Sequence, residues 1–152
     1  MLTINSLDTL KDHIGQELGV TDWFPVTQER IQQFADVTGD PQWIHVDVER
    51  AQRESPFKAT IAHGFLTLSL FPQFMPQVLK IKSGMRMGIN YGLNRLRFVS
   101  PLLSGSRIRA RFTLQSVKNF GGGIEPVYLV TVEGENSAKP ICVAEWVVRY
   151  YR

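Results

Sequence analysis

Residues 62–80 read AHGFLTLSLFPQFMPQVLK, and between Gly64 and Leu79 there is no Asp, Glu, Lys or Arg. Apolar side chains fall on nearly every face, a pattern that suits a helix buried all round rather than one lying on a surface. Pro72 and Pro76 are expected to break it, since proline removes a helical N–H and clashes with the preceding turn. A helix enclosed on all sides needs something to enclose it, so the rest of the chain must supply a wrapping layer.

The C-terminal half supplies strands. In SRIRARFTLQS, Ile108, Ala110, Phe112 and Leu114 alternate with Arg107, Arg109, Arg111 and Thr113. Period-two alternation of this kind is the mark of a half-buried antiparallel strand. MRMGINYGLNRLRFV, EPVYLVTVEGE and ICVAEWVVRYY have similar β-rich content, and SPLLSGS, NFGGG and NSAKP between them are turn signals. One long helix followed by several antiparallel strands predicts an α+β fold, with a sheet wrapped around the helix.

On the N-terminal side, Thr27 is a good cap for a helix in which Ile31, Phe34 and Ala35 share a face, and Gly39 provides a left-handed stop. The next residues, TGDPQWIH from Thr38 to His45, place a carboxylate and an imidazole five residues apart. Pro41 is expected to bar a return to helix there. A short helix is predicted from Asp47 through VERAQR, ended by Ser55 and Pro56.

The chain has 152 residues, enough for one domain with a sizeable core, and no repeat or linker divides it, so a single domain over 1–152 is expected. Its single cysteine excludes an internal disulfide. The N-terminus lacks a signal-peptide pattern and no stretch approaches a membrane span, which points to a cytoplasmic chain without a membrane partner. A net charge of +3 is too mild to imply nucleic acid, although nine basic and no acidic residues lie between Lys80 and Lys118. The arginines alternate along a strand without the aromatics that base stacking needs, so a nucleic-acid partner is not expected.

The segment FADVTGDPQWIHVDVERA followed by TIAHGFLTLSL resembles the hydratase motif and central-helix start of the MaoC-like dehydratases. These include the (R)-specific enoyl-CoA hydratases, and the likeness is strongest to their NodN-like branch. It runs from about residue 20 to the end. Gly39, Asp40 and His45 match the family's Gly-Asp and following His, while Gln42 and Trp43 stand where Asn and Pro are usual. The resemblance implies a hot-dog fold, with an overhanging segment that carries the motif. It also implies Asp40 and His45 as catalytic pair, an acyl-CoA thioester substrate whose coenzyme A is no separate cofactor, and a homodimer with the site near its interface.

Chemistry supports those roles. Hydration of a 2-enoyl thioester needs a base for water, a proton donor for the α-carbon and stabilisation of the enolate oxygen. Asp40 and His45 suit the first two tasks. Gly64, at the start of the helix and without a side chain, suits the third through its backbone N–H. No metal is required. His63 is a second candidate contact to substrate, and equally a helix cap or a hydrogen-bonder to the loop.

Taken singly, Asp40 reads as a turn residue and His45 as a structural histidine; it is their spacing ahead of AHGF that favours chemistry. His13 reads as solvated. Trp43 and Phe57 line an acyl pocket or pack the overhang, and the arginines at 107, 109 and 111 form the wet face of a strand or serve coenzyme A phosphates. The alternative functions are a hot-dog acyl-CoA thioesterase, a carrier-protein dehydratase and a non-catalytic acyl-CoA-binding module. The first two usually place an acid on the central helix, where this chain has none. The last need not keep Asp40 with His45.

Overall fold

The computed structural model describes residues 1–152. The chain begins with β1 (Leu2–Ile4), a 3-10 turn over Leu7–His13, β2 (Glu17–Val20) and β3 (Phe24–Pro25). Three helices follow: α1 (Gln28–Thr38), α2 (Trp43–Val46) and α3 (Val48–Glu54). After them come α4 (Gly64–Ser69), α5 (Phe71–Val78), β4 (Leu79–Ile81), β5 (Met87–Phe98), β6 (Arg107–Phe120), β7 (Gly123–Gly134) and β8 (Cys142–Tyr151).

The main sheet is antiparallel in the order β2-β6-β7-β8-β5, with β3 also paired to β6, while β1 and β4 form a separate parallel pair. The predicted alternation of β6 holds: Ile108, Ala110, Phe112 and Leu114 are fully buried. Opposite them, Phe71 and Phe74 of α5 are equally buried, and Phe71 meets Phe112 and Trp146 edge-on at centroid distances of 6.4 and 5.7 Å. A fully buried Phe contributes roughly 1.5–3 kcal/mol of transfer free energy. This contact between helix and sheet face is the centre of the core.

The helical run differs from expectation in two ways. Its break falls at Leu70, between α4 and α5, while Pro72 sits in the first turn of α5, where a missing N–H costs nothing. Pro76 lies inside α5 without interrupting it. Pro76 and Pro72, whose carbonyl is the one deprived of a partner by Pro76, are both exposed residues, where water is an alternative donor. The run is also not enclosed all round in a single chain, since Phe65 is 63% exposed.

The other local signals behave as their chemistry dictates. Thr27 accepts from the Arg30 N–H, and Gly39 takes a left-handed φ of 71° as α1 ends. Asp47 accepts from the Arg50 N–H to cap α3. Pro41 does not keep the segment free of helix. The single turn α2 starts just beyond it, held by His45 N–H to Gln42 O at 2.9 Å and Asp47 N–H to Trp43 O at 3.0 Å. A proline ahead of a helix's first residues has no internal bond to remove.

Candidate active site

Asp40 and His45 are brought together by loops that tie back onto the helices around them. The Asp40 N–H donates to Ala35 O at 3.0 Å, completing the left-handed end of α1. Its side chain is 55% exposed. His45, on α2, is 7% exposed, and its carbonyl accepts from Gln28 Nε2 at 2.8 Å. Thr60 Oγ1 in turn donates to Gln28 Oε1. Segment 60–63 runs beside α2, with the Ile61 N–H on Ile44 O at 3.0 Å.

That segment fixes the tautomer of His45. Its Nδ1 lies 2.7 Å from the carbonyl oxygen of Ile61. A carbonyl only accepts, so Nδ1 carries the proton and Nε2 keeps a free lone pair, the form a general base needs. Burial, above all, pushes the His45 imidazole below its ordinary value. The bond to Ile61 opposes this, the nearby His63 adds to it, and the Asp40 carboxylate opposes it.

His63 stands at the N-cap position of α4 but its side chain makes no capping bond; it stacks on His45 with ring centroids 3.7 Å apart. Its Nε2 is 3.0 Å from the Asp40 carbonyl oxygen and 3.8 Å from a carboxylate oxygen of the same residue. One nitrogen or oxygen from each of Asp40, His45 and His63 falls within 4.8 Å of the others. A metal binds in the plane of an imidazole, and two face-to-face rings do not share a plane, so this geometry suits proton chemistry better than a common ion.

Beside the pair is a cavity of about 270 Å³ whose wall includes His45, Gly64, Thr67, Phe98 and Ser100. Gly64 is the first residue of α4, so its N–H has no acceptor within the helix, and none is found outside it. His63 lies behind His45 and forms no part of this wall. Asp40 does not line it either; its carboxylate lies within 4.8 Å of a His45 ring nitrogen. A wider cleft of about 500 Å³ shares Ser100, Pro101, Leu102 and Ile141 with the first and continues past Phe57.

Several side chains fall elsewhere. Trp43 lies under the Arg50 guanidinium, 4.4 Å from its ring centroid, and so packs the overhang. His13 donates to Gln16 Oε1 at 2.9 Å and lines neither cavity. Arg107, Arg109 and Arg111 pair with Glu135, Glu133 and Glu17, with Glu133 shared between Arg109 and Arg111. These arginines are the wet face of β6, and their charge is met by neighbouring strands. Phe98, Thr67 and Gln28 were not legible as site residues: each arrives from a separate element, and no local spacing marks it.

A sheet wrapped on a central helix, with an overhang delivering a carboxylate and a histidine to the helix start, defines a hot-dog hydratase-type architecture. The family model described as MaoC like domain matches residues 9–136, and the chain belongs to that family of dehydratases. It is 49% identical over 151 residues, 99% of each chain, to 3-hydroxyacyl-thioester dehydratase Z of Mycobacterium tuberculosis (strain ATCC 25618 / H37Rv). It is 48% identical over 147 residues, 93% of this chain and 89% of the relative, to nodulation protein N of Rhizobium leguminosarum bv. viciae. Among solved structures, the (R)-hydratase from A. caviae involved in PHA biosynthesis superposes with a TM-score of 0.71 at 21% identity, covering 89% of this chain and 94% of that one.

Proposed function

We propose that the protein is an (R)-specific enoyl-CoA hydratase that adds water reversibly to trans-2-enoyl-CoA to give (R)-3-hydroxyacyl-CoA. The observation that carries this is the meeting of Asp40 with a His45 whose Nε2 is left bare, beside a cavity that also exposes Gly64. Asp40 and His45 hold one water between them. Its oxygen bonds to C3, one of its protons passes to the pair, and a proton from the pair reaches C2 as the C2–C3 double bond is lost. The negative charge that builds on the thioester oxygen meets the Gly64 N–H, a donor worth ~3 kcal/mol in comparable sites. Dehydration is the same path reversed. The active unit is a homodimer, and no cofactor or metal takes part beyond the substrate's own coenzyme A.

The absence of an acid from α4 and α5 counts against a thioesterase of the usual hot-dog kind. The test is the loss of enoyl-thioester absorbance on mixing the protein with trans-2-enoyl-CoAs of graded length, with chiral analysis of the product. Asp40→Asn and His45→Gln are each expected to fold and to lose ~10²-fold or more in rate. Untouched enoyl-CoAs, or two fully active variants, would refute the assignment, and an (S)-product would refute its stereochemistry alone.

A further inference from the structure

His63 is 4% exposed, held between the His45 ring at 3.7 Å and the Phe34 ring at 5.0 Å. Its Nε2 faces the Asp40 carbonyl at 3.0 Å, and because that oxygen only accepts, Nε2 is the donor. Its Nδ1 is buried with no partner. Leaving a buried polar atom unsatisfied is unfavourable, and a phenylalanine would fill the same space without one. What the imidazole adds is therefore its contacts. One is a hydrogen bond to the backbone of Asp40; the other is a flat face against His45. Neighbouring Ala62 and Gly64 line the cavity, but His63 does not.

We propose that His63 is a positioning residue that holds Asp40 by its backbone and His45 by its ring face, so that the two keep a fixed relation to one bound water. The inference rests on the hydratase reading of Asp40 and His45. Asp40 follows a left-handed glycine and carries a half-exposed side chain, so the loop needs a second tether beyond its own N–H bond to Ala35. The His63 bond to its carbonyl is that tether. His45 is fixed against rotation at Nδ1 by Ile61, and the stacked ring closes one of its faces. Asp40 and His63 are the titratable groups that act on the His45 imidazole, alongside the Ile61 carbonyl. Misplacing a reacting group by about 1 Å can cost 10²-fold in rate, so a loosened pair should be visible kinetically.

Two variants separate the contacts. His63→Gln keeps an amide donor for Asp40 and loses the ring; His63→Phe keeps the ring and loses the donor. Each is expected to lower kcat about ten-fold while KM changes less than about two-fold, the pattern of lost alignment rather than lost binding. In an Asp40→Asn background His63→Phe should cost less than about two-fold further, because it acts through Asp40. NMR titration of the His45 imidazole in His63→Gln should show its midpoint moved upward, since a stacked protonatable neighbour is gone.

A raised KM with kcat preserved would make His63 a substrate ligand and overturn the proposal, as would full additivity with Asp40→Asn. If the wild type does not hydrate enoyl-CoAs, the reaction assignment fails. The positioning of His45 is then still decided by the titration, and an unchanged midpoint in His63→Gln overturns it. Should one variant not fold, the same measurements on the other decide.

Discussion

The ring of Phe98 lies against the α-carbon of Gly64, so close that a Cβ built on Gly64 would sit 2.7 Å from the ring. Gly64 is thus bare for two reasons, access to its N–H and room for Phe98, and a simple substitution confounds them. Gly64→Ala is expected to displace the ring and lower both Tm and kcat/KM. Phe98→Ala removes the clash. In that background Gly64→Ala should regain stability while kcat/KM stays depressed, by up to about 10²-fold if the methyl keeps a thioester oxygen from the N–H. A double variant as active as Phe98→Ala alone would mean that the glycine serves packing only.

The pH dependence follows from His45. The base must be neutral, and burial holds this imidazole below its ordinary 6.5, so the acid limb of kcat/KM is expected below pH 6.5. Stability carries the matching sign. The folded chain takes up this proton less readily than the unfolded one, so His45 favours folding above pH 6.5 and that advantage is lost as pH falls below it. A rate profile in wild type and His45→Gln checks the first point, with the limb absent from any residual activity of the variant. A limb at or above 6.5 would remove His45 from the role of base.

Glu133 accepts from Arg109 Nε at 2.7 Å and from Arg111 at 3.2 Å, and these bonds, Arg109 first, hold its carboxyl below the ordinary 4.5. A depressed carboxylate contributes stability above its unfolded value and loses it as pH falls through the folded one. Glu133→Gln is expected to cost about 1 kcal/mol or less at pH 7, equivalent to ~2–4 °C in Tm for a chain of this size. The gap between the variant and wild type should narrow as pH is lowered from 7 to below 4.5, the carboxyl's ordinary value. Thermal melts at the two ends of this range check this, and an equal gap at both would show that the pairing is not the cause.

These arginines also mark where sequence stops being legible. Ile108, Ala110, Phe112 and Leu114 could be placed on one face because alternation is local, and Thr27, Gly39 and Asp47 could be assigned as caps and stops because each acts within a few residues. Arg109 and Arg111 could not be matched to Glu133, because that pairing depends on the register of β6 with β7. Asp40, His45 and Gly64 stand in motifs short enough to read. The stacking of His63 on His45 and the approach of Phe98 to Gly64 are contacts between separate segments, fixed only by tertiary packing.

Strand order decides the last prediction. INYGLNRLRFV and ICVAEWVVRYY both have the apolar, β-rich content that suits pairing along an edge, but β8 lies inside the sheet between β7 and β5, and its backbone is paired on both sides. Only β5 of the two is an edge. It spans twelve residues, roughly 40 Å at 3.4 Å per residue, and nearly all of them are exposed. Ile89, Tyr91, Leu93 and Phe98 are 41%, 56%, 38% and 43% exposed, and Phe65 stands nearby at 63%, edge-on to Phe98 at 5.7 Å. A long edge with this much apolar surface is what pairing would cover, and a two-fold axis lets identical strands meet. Phe98 belongs both to this surface and to the cavity wall that carries His45, so pairing along β5 would place each active site beside the partner chain. Light scattering coupled to size exclusion is expected to give about twice the 17.3 kDa chain mass. Tyr91→Glu combined with Leu93→Lys should split the pair, with loss of activity, while far-UV circular dichroism keeps its strand signature. A monomeric wild type with full activity at micromolar concentration would show that β5 is protected some other way and that one chain completes the site.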